Sequence, residues 1–380
     1  MKLITTIARL ILGLTFILSG FVKGVDPVGT EIKLIEYFQA LKLDFLSDYA
    51  IYFSFLLIYA EFIIGVLLFF NVYIKVAAIA ALFFMLLFTP LTLWLALTNA
   101  VSDCGCFGDA IKLSNWETFY KNLFFLAFAF IVFFRRNKIF SILSNKGKFL
   151  IFVFFTIGIV IIILKSYYYL PLIEFLPFKK GNNIKELMSI PPDAPKDVYV
   201  QYVILKDTST NKEIQVSIEE YSSNPKYWSE GSTYKYIGIT NPILVKKGYQ
   251  PPITDFNIYD ENNNNYIDEF LNNHGYSFLL VFHNLRKASL KNIERIIELY
   301  NFAVNSNIKF YALTSERFED CKDFISRYNL PFKFYFCDET TLKTIIRTNP
   351  GLVLVKDAVV IEKWSYMNFP TIESLKKIIK

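Results

Sequence analysis

The apolar residues of this chain are concentrated in its first half. Residues 1–170 contain nearly uninterrupted apolar runs, whereas residues 171–380 have the mixed polarity of a water-soluble sequence. A helix needs about 20 apolar residues to cross the hydrocarbon core of a bilayer. Five stretches reach or approach this length: Leu3–Val22, Ile51–Phe70, Val76–Thr98, Phe119–Phe134 and Phe149–Tyr168. The pattern predicts a four-helix membrane domain over residues 1–140 and a fifth transmembrane helix within residues 141–170.

Positive charges in the short loops set the expected orientation, because loops rich in Lys and Arg stay in the cytoplasm. The loop between the fourth and fifth stretches has cations and no acid: Arg135, Arg136, Lys138, Lys146 and Lys148. Alternation then places loops 23–50 and 99–118 outside, together with everything from Pro171 on. We therefore expect a multi-pass protein of a bacterial inner (plasma) membrane with an extracytoplasmic (periplasmic) C-terminal half. In the alternative, the fifth stretch is a surface helix and that half is cytoplasmic, but the unbroken apolar run 149–164 argues against it.

The second half divides into three segments by pattern. Residues 171–196 contain five prolines and are predicted to be a linker. Residues 197–247 alternate polar and apolar positions as strands do, which predicts a small β-rich segment. From residue 248 short apolar strands alternate with helical periodicity in the order βαβαβαββα. This order is typical of an α/β domain built on one mixed sheet.

Composition narrows the function classes. Of the 380 residues, 53% are hydrophobic and only 19% are charged, which excludes disorder and a coiled coil for the whole chain. The net charge of +6 is modest and follows from loop topology, so we expect no nucleic-acid partner. Four cysteines exclude a disulfide-built scaffold, and two histidines argue against a His-rich metal or haem site. The expected surroundings are the lipid bilayer and an extracytoplasmic client or redox partner protein.

Cys104 and Cys106 fall in the loop that is expected outside, in an oxidising compartment. A disulfide between cysteines two residues apart closes a tight ring. We expect its Cα atoms near the lower limit of the usual range of about 4.4–6.8 Å, and a bond that is easily reduced. Gly105 would supply the backbone freedom for the ring and Gly108 that for the following turn. Two interpretations stay open, a redox-active pair and a static structural turn.

Two carboxylates flank this pair. Asp103 and Asp109 would raise the thiol pKa values and slow thiolate attack unless Lys112 offsets their charge. A metal site would need two further ligands, and no other His or Cys lies near in the sequence. We therefore expect no metal here.

Glu61 lies in the middle of the second apolar stretch, where an ionisable side chain is a functional candidate. Its expected partner is Arg9, inside the first stretch, or Lys23 at the outer end of that stretch. One interpretation is a proton-handling or quinone-linked site. The other is a buried structural pair that fixes the register of two helices.

Cys321 and Cys337 form a second candidate pair. Cys321 is expected early in a helix and Cys337 at the end of the next strand, and these two positions lie at the same edge of a parallel βαβ unit. A disulfide between them is one interpretation, and two small buried apolar side chains are the other.

The membrane half resembles the DoxX/MauE-like family over roughly residues 1–140. The resemblance rests on Arg9-x3-Gly13-x2-Phe16-x2-Ser19-Gly20-x2-Lys23, on Glu61 and on Cys104-Gly-Cys-Phe-Gly-Asp109. These are small helical bundles that include a protein needed for maturing methylamine dehydrogenase, in which disulfides must form. The resemblance implies that Cys104 and Cys106 exchange electrons with a partner thiol or with a membrane quinone.

Residues 250–380 resemble an extracytoplasmic thioredoxin-like domain of the TlpA type. The opening segment Pro251-Pro-Ile-Thr-Asp-Phe256 fits, and Thr348-Asn-Pro350 matches the position of the family's cis-proline. The family's C-x-x-C should follow Phe282, where this chain has His283-Asn-Leu-Arg-Lys-Ala-Ser289 and no cysteine. The resemblance therefore implies the fold without the family's thiol chemistry.

The sequence predicts an all-α membrane bundle joined to an extracytoplasmic α/β thioredoxin-like domain. The leading functional hypothesis is thiol/disulfide or quinone-linked redox maturation of a partner protein, with the thioredoxin-like domain holding the client; if the protein is an enzyme, it is an oxidoreductase of this kind. A non-catalytic envelope scaffold is the second hypothesis. A small-molecule carrier or oxidase subunit, suggested by the DoxX resemblance alone, is the third.

Overall fold

The computed structural model describes residues 2–101, 103–111 and 113–379. Its N-terminal half consists of α1 (Lys2–Val25), α2 (Pro27–Ala40), α3 (Ala50–Phe69), α4 (Ile74–Thr98), α5 (Asn115–Arg135) and α6 (Asn145–Tyr168). A 3₁₀ turn over Asp44–Tyr49 precedes α3, and another over Arg136–Lys138 follows α5. Within the described residues, five helices are long and apolar enough to cross a membrane, namely α1 and α3 to α6. The five predicted spans are thus confirmed.

Helices α1 and α3 pack backbone against backbone. A Cβ atom on Gly20 would lie 2.6 Å from the amide nitrogen of Phe62, and one on Gly65 would lie 2.5 Å from that of Ile17. Only glycine permits this approach, as in other membrane helix pairs with small residues at the contact. The close packing brings side chains near these glycines on the two helices into direct contact, among them Lys23 and Glu61.

Helix α2 was not predicted, because loop 23–50 is too polar to resemble a span. Its start nevertheless carries a local signal: Asp26 is the N-cap and accepts a hydrogen bond from the amide of Gly29 at 3.0 Å, and Pro27 occupies the first turn. The helix lies beside α3 and supplies polar side chains to the site described below.

Residues Lys185–Thr254 form a compact unit of their own. It contains most of α7 (Ile184–Met188), followed by β1 (Val198–Val200), β2 (Tyr202–Asp207), β3 (Glu213–Ser217), α8 (Ile218–Ser223), β4 (Tyr234–Ile239) and β5 (Ile243–Lys246). Strand β2 pairs antiparallel with both β3 and β4, while β1 pairs with β5. Its small core holds Val203, Leu205, Val216 and Tyr227.

The C-terminal region is an α/β sandwich. Its elements are α9 (Ile267–Leu271), β6 (Tyr276–Phe282), α10 (Ile293–Asn305), β7 (Lys309–Thr314), α11 (Phe318–Tyr328), β8 (Phe334–Phe336), α12 (Glu339–Ile345), β9 (Gly351–Lys356), β10 (Val359–Ser365) and α13 (Ile372–Ile378). The sheet order is β10-β9-β6-β7-β8, with β6, β7 and β8 parallel and β9 and β10 antiparallel. The predicted mixed sheet with its terminal hairpin is confirmed.

Strand β6 is buried over nearly its whole length because β9 and β7 flank it and helices pack on the sheet. Helix α10 presents Ile296, Leu299 and Ala303 to the sheet, three positions on one helical face. The peptide bond between Asn349 and Pro350 is cis, at the start of β9. Pro350 thus stands where the thioredoxin resemblance placed it, beside the end of β6.

Candidate functional site

The loop after α4 contains a disulfide between Cys104 and Cys106. Their Cα atoms are 5.4 Å apart, in the middle of the usual range, so the expectation of unusually close Cα atoms is wrong. Gly105 has φ +65° and Gly108 φ +52°, values that L side chains rarely adopt. Gly105 therefore permits the backbone path between the two cysteines, and Gly108 permits the turn that follows them.

Side chains from α1 and α2 hold both cysteine carbonyls. The Tyr37 hydroxyl donates to the Cys104 oxygen at 3.0 Å, and Ser19 Oγ lies 2.7 Å from the Cys106 oxygen. Burial, together with the nearby charges of Asp103 and Glu36, raises the pKa of Tyr37, so this hydroxyl keeps its proton as a donor. The disulfide loop is thus fastened to the helical bundle through its backbone.

Each carboxylate that flanks the disulfide is paired with a distant cation. Lys33 Nζ on α2 lies 3.2 Å from Asp103 and 2.9 Å from Glu36. Burial opposes the charge of Lys33, but Glu36 and Asp103 outweigh it and raise the pKa of the ammonium. Asp109 lies 3.1 Å from Nη2 of Arg347. Lys112, which the sequence suggested as the offsetting charge, is outside the described residues.

Glu61 forms a buried ion pair inside the bundle. Lys23 Nζ lies 2.7 and 2.8 Å from its two carboxylate oxygens, and Ser19 Oγ lies 2.8 Å from Oε2. Both charged side chains are almost fully buried. Of the two partners considered from sequence, the structure has Lys23. Because Ser19 also contacts the Cys106 carbonyl, the pair is connected to the disulfide loop through one hydroxyl.

Arg9 does not pair with Glu61, and that alternative is wrong. Its guanidinium donates to the carbonyl oxygens of Leu68 and Phe69, the latter at 2.8 Å. These carbonyls belong to the last turn of α3, where backbone oxygens lack helical partners. Arg9 therefore caps the C-terminal end of α3 and does not contact the Glu61 carboxylate.

A cavity of about 470 Å³ lies beside the disulfide loop. Its wall is mostly apolar and includes Cys104, Cys106, Lys23 and Glu61. A volume of this size suits a small organic molecule. The disulfide and the buried ion pair, which the sequence separates by more than 40 residues, thus border one space.

Arg347 is the residue that sequence reasoning missed most completely. It precedes the cis-proline by three residues, and its buried guanidinium donates from Nε and Nη2 to Asp26 at 2.7–3.0 Å and from Nη2 to Asp109 at 3.1 Å. Asp26 is the N-cap of α2 and Asp109 ends the Cys-Gly-Cys-Phe-Gly-Asp motif. The segment that leads into the cis-proline of the thioredoxin-like domain therefore contacts the disulfide loop directly, through the ion pair of Arg347 with Asp109.

The position of the missing C-x-x-C is occupied by His283 and the residues that follow it. His283 Nε2 donates to the Arg347 carbonyl at 3.4 Å, while Nδ1 is buried with no partner among the described residues. Burial, with smaller contributions from Lys343 and Arg347, lowers the pKa of His283 to about 3. The imidazole is therefore neutral at physiological pH and forms part of the packed contact.

A dependence of stability on pH follows from His283. Its pKa is lower in the folded chain than the value of about 6.5 in an unfolded one, so stability is complete above pH 6.5 and falls as the pH approaches 3. We expect H283Q to abolish this part of the pH dependence, which amounts to roughly 1.4 kcal/mol of unfolding free energy per pH unit below pH 6. Unfolding midpoints at pH 7 and pH 5 test this, with the exposed His274 as the control in H274Q.

Cys321 and Cys337 are free and buried, so the disulfide considered between them is wrong in this structure. Burial raises the pKa of each thiol to about 12. Neither forms a thiolate near neutral pH, and they act as small apolar side chains.

No group of three or more His, Cys, Asp or Glu side chains suited to a metal ion occurs in the part of the chain that the structure describes. The charges near Cys104 and Cys106 are instead neutralised within the protein by Lys33 and Arg347. Lys33 and Tyr37 were missed because α2 was missed. The Asp26–Pro27 helix start would have revealed the helix that carries them.

Comparison with known proteins gives one family and several structures. Residues 1–135 match the family described as "Methylamine utilisation protein MauE". No curated protein matches the chain.

Three solved structures are similar to the C-terminal region, each with a TM-score of 0.27. A putative thioredoxin from Neisseria meningitidis is 16% identical and covers 32% of this chain and 83% of its own. The thioredoxin domain of a thiol-disulfide oxidoreductase from Bacteroides vulgatus is 14% identical and covers 33% and 93%. A thiol peroxidase from Chromobacterium violaceum is 12% identical and covers 33% and 82%. The chain thus joins a membrane region that matches the MauE family over residues 1–135 to an α/β domain with a five-stranded mixed sheet and a cis-proline, to which these solved structures are similar.

Proposed function

We propose that this protein carries out thiol–disulfide exchange at a membrane surface, with Cys104 and Cys106 as the reacting pair. The observation that carries the proposal is a two-residue-spaced disulfide held by its backbone against a buried ion pair and an organic-sized cavity. A purely structural turn needs none of these neighbours. The match of residues 1–135 to a protein family of methylamine utilisation agrees with a role in maturing a partner protein.

The exchange is balanced without a further reactant. A partner thiolate attacks one sulfur of the disulfide, which breaks the S–S bond and forms a mixed disulfide. The second partner thiol displaces it, so the partner gains a disulfide while Cys104 and Cys106 become thiols. Two electrons and two protons pass from the partner to the pair.

The orientation that suits this chemistry places the disulfide loop and the C-terminal half outside the cytoplasm, in the periplasm of a bacterial inner membrane. The cations around residues 135–148 support it, because such loops stay inside. An oxidising compartment also keeps exposed disulfides formed. The thioredoxin-like domain, which grips the loop through Arg347, then stands where it can hold the partner.

A second candidate is a non-catalytic scaffold. The absence of cysteine from 283–289 and the burial of Cys321 and Cys337 favour it, because the thioredoxin-like domain then has no reactive thiol of its own. In that case the disulfide is static.

A redox titration separates the two candidates. Full-length protein in nanodiscs is equilibrated with graded ratios of reduced to oxidised dithiothreitol, then alkylated and weighed by mass spectrometry. We expect Cys104 and Cys106 to become alkylated together as a two-electron pair, while Cys321 and Cys337 react only after denaturation because they are buried. C104S/C106S serves as the control for assignment.

The opposite outcome is a disulfide that stays intact over the whole titration, which would favour the scaffold. In intact cells, a membrane-impermeant maleimide added after mild reductant should label the same two cysteines. Labelling only after the membrane is permeabilised would contradict the proposed orientation.

A further inference from the structure

The cavity beside the disulfide opens toward the lipid-facing side of the bundle. Phe53 and Leu56 of α3 and Phe83 and Leu87 of α4 line it, and all four are exposed on the outside of transmembrane helices. Side chains exposed there face hydrocarbon, so a molecule dissolved in the bilayer can reach the cavity sideways. The rest of the wall is rich in Leu and Phe, which suits an apolar chain.

One part of the cavity wall is charged. The charged side chains there are Lys23, Lys33, Glu61 and Lys121. Lys23 is paired with Glu61 and Lys33 with acids of its own, whereas Lys121 has no carboxylate at ion-pair distance among the described residues. Its ammonium lies 4.5 Å from the centre of the Phe107 ring, next to Cys106 in sequence. A cation left without a counter-ion in an apolar membrane helix is costly and marks a functional position. Its charge is complementary to an oxygen that gains negative charge.

The structure thus combines an apolar cavity that opens to lipid, a disulfide and a cation for which the described residues offer no carboxylate at ion-pair distance. We propose that the cavity binds an isoprenoid quinone, which reoxidises the Cys104/Cys106 dithiol. This inference rests on the proposed function, since it names the acceptor for electrons that the pair takes from its partner. In the step, two S–H bonds break and the S–S bond forms. The quinone takes up the same two electrons and two protons, forms two O–H bonds and leaves as quinol.

Lys121 lies where it can stabilise the quinone oxygen on which negative charge develops. The second polar group, Glu61, is connected to the disulfide loop through Ser19. A hydroxyl has one hydrogen, and Ser19 Oγ lies within 2.8 Å of two acceptors, the Glu61 carboxylate and the Cys106 carbonyl. The single hydroxyl hydrogen can be donated to only one of these two acceptors at a time. Glu61, Ser19 and the Cys106 carbonyl therefore form one continuous polar chain from the ion pair to the disulfide loop.

The test uses full-length protein in nanodiscs of quinone-free phospholipid. The pair is reduced with dithiothreitol, the reductant is removed, and a short-chain ubiquinone or menaquinone analogue is added. Quinol formation is followed by absorbance, and oxidation of Cys104 and Cys106 by alkylation and mass spectrometry. We expect one quinol per protein together with one reformed disulfide.

Three variants locate the reaction in the cavity. K121M removes the cation, and since no carboxylate of the described residues loses an ion-pair partner, the fold keeps its other ion pairs. L87W narrows the cavity, while L86W places the same side chain on the neighbouring position of α4, equally exposed but outside the cavity (48% against 49%). We expect K121M and L87W to slow quinol formation at least about tenfold and L86W to match the unsubstituted protein.

Reduction of the disulfide by dithiothreitol is recorded before quinone is added. This step tests the proposed thiol–disulfide exchange separately from the proposed quinone site. A pair that cannot be reduced contradicts the proposed function. A pair that is reduced but does not pass electrons to quinone overturns the quinone site alone. Equal rates of quinol formation in K121M, L87W and L86W would likewise overturn the quinone site. The cavity would then be occupied by lipid acyl chains.

Discussion

R347A is expected to destabilise the protein by about 3–5 kcal/mol and to loosen the thioredoxin-like domain from the disulfide loop. The guanidinium is buried and satisfies two carboxylates, Asp26 and Asp109, besides the carbonyl of Lys343. Truncating it leaves both carboxylates without their cation in a site largely closed to water, and an unpaired buried charge is the costliest outcome of a point substitution. The midpoint of thermal unfolding in nanodiscs measures the effect.

An exposed ion pair between the same two regions provides the control. Lys287 lies 3.1 Å from Asp48, and it too joins the thioredoxin-like domain to the membrane region, but both of its side chains are exposed. K287A should therefore cost less than about 1 kcal/mol. Limited proteolysis should cut R347A faster in residues 171–184 than it cuts K287A. Equal stability and equal proteolysis of the two variants would mean that the buried contact does not hold the domain.

The contrast between these ion pairs also shows what the sequence could not reveal. The five spans and the βαβαβαββα order are local patterns of apolar residues. The order was predicted, and the ends of the five spans were predicted within a few residues. The contact of Arg347 with Asp26 joins residues 321 positions apart, and no periodicity records it. Without that contact, the charges of Asp103 and Asp109 had to be judged against Lys112, their neighbour in sequence.

Glu61 illustrates the same limit at shorter range. Hydropathy identified the intramembrane carboxylate, but Arg9 and Lys23 were both plausible partners because each lies on α1. The choice depends on how α1 and α3 slide against each other, which Gly20 and Gly65 fix through close backbone contact. Cys321 and Cys337 were placed at one sheet edge correctly by topology alone, yet sharing an edge does not bring two sulfur atoms into bonding distance.

The Lys23–Glu61 pair should respond very differently to single and double substitution. K23M and E61L should each destabilise the protein by about 3–5 kcal/mol, because each leaves one charge buried without its partner. The double variant K23M/E61L replaces the pair by apolar side chains of similar volume, which is often neutral or stabilising. Unfolding midpoints of the three variants in nanodiscs would measure how much stability the double variant regains relative to the single variants. Loss of stability in the double variant equal to the sum of the single losses would contradict it.

The double variant also separates the two interpretations of Glu61, because it folds without either charge. If the pair only fixes the register of α1 and α3, the folded double variant should exchange electrons with dithiothreitol and quinone at the rate of the unsubstituted protein. If Glu61 takes up thiol protons through Ser19, reoxidation of Cys104 and Cys106 should slow by about 10²–10⁴-fold, the usual contribution of a positioned proton acceptor. We expect the second result, since the Ser19 hydroxyl connects Glu61 to the disulfide loop and a register-fixing pair would not require that connection.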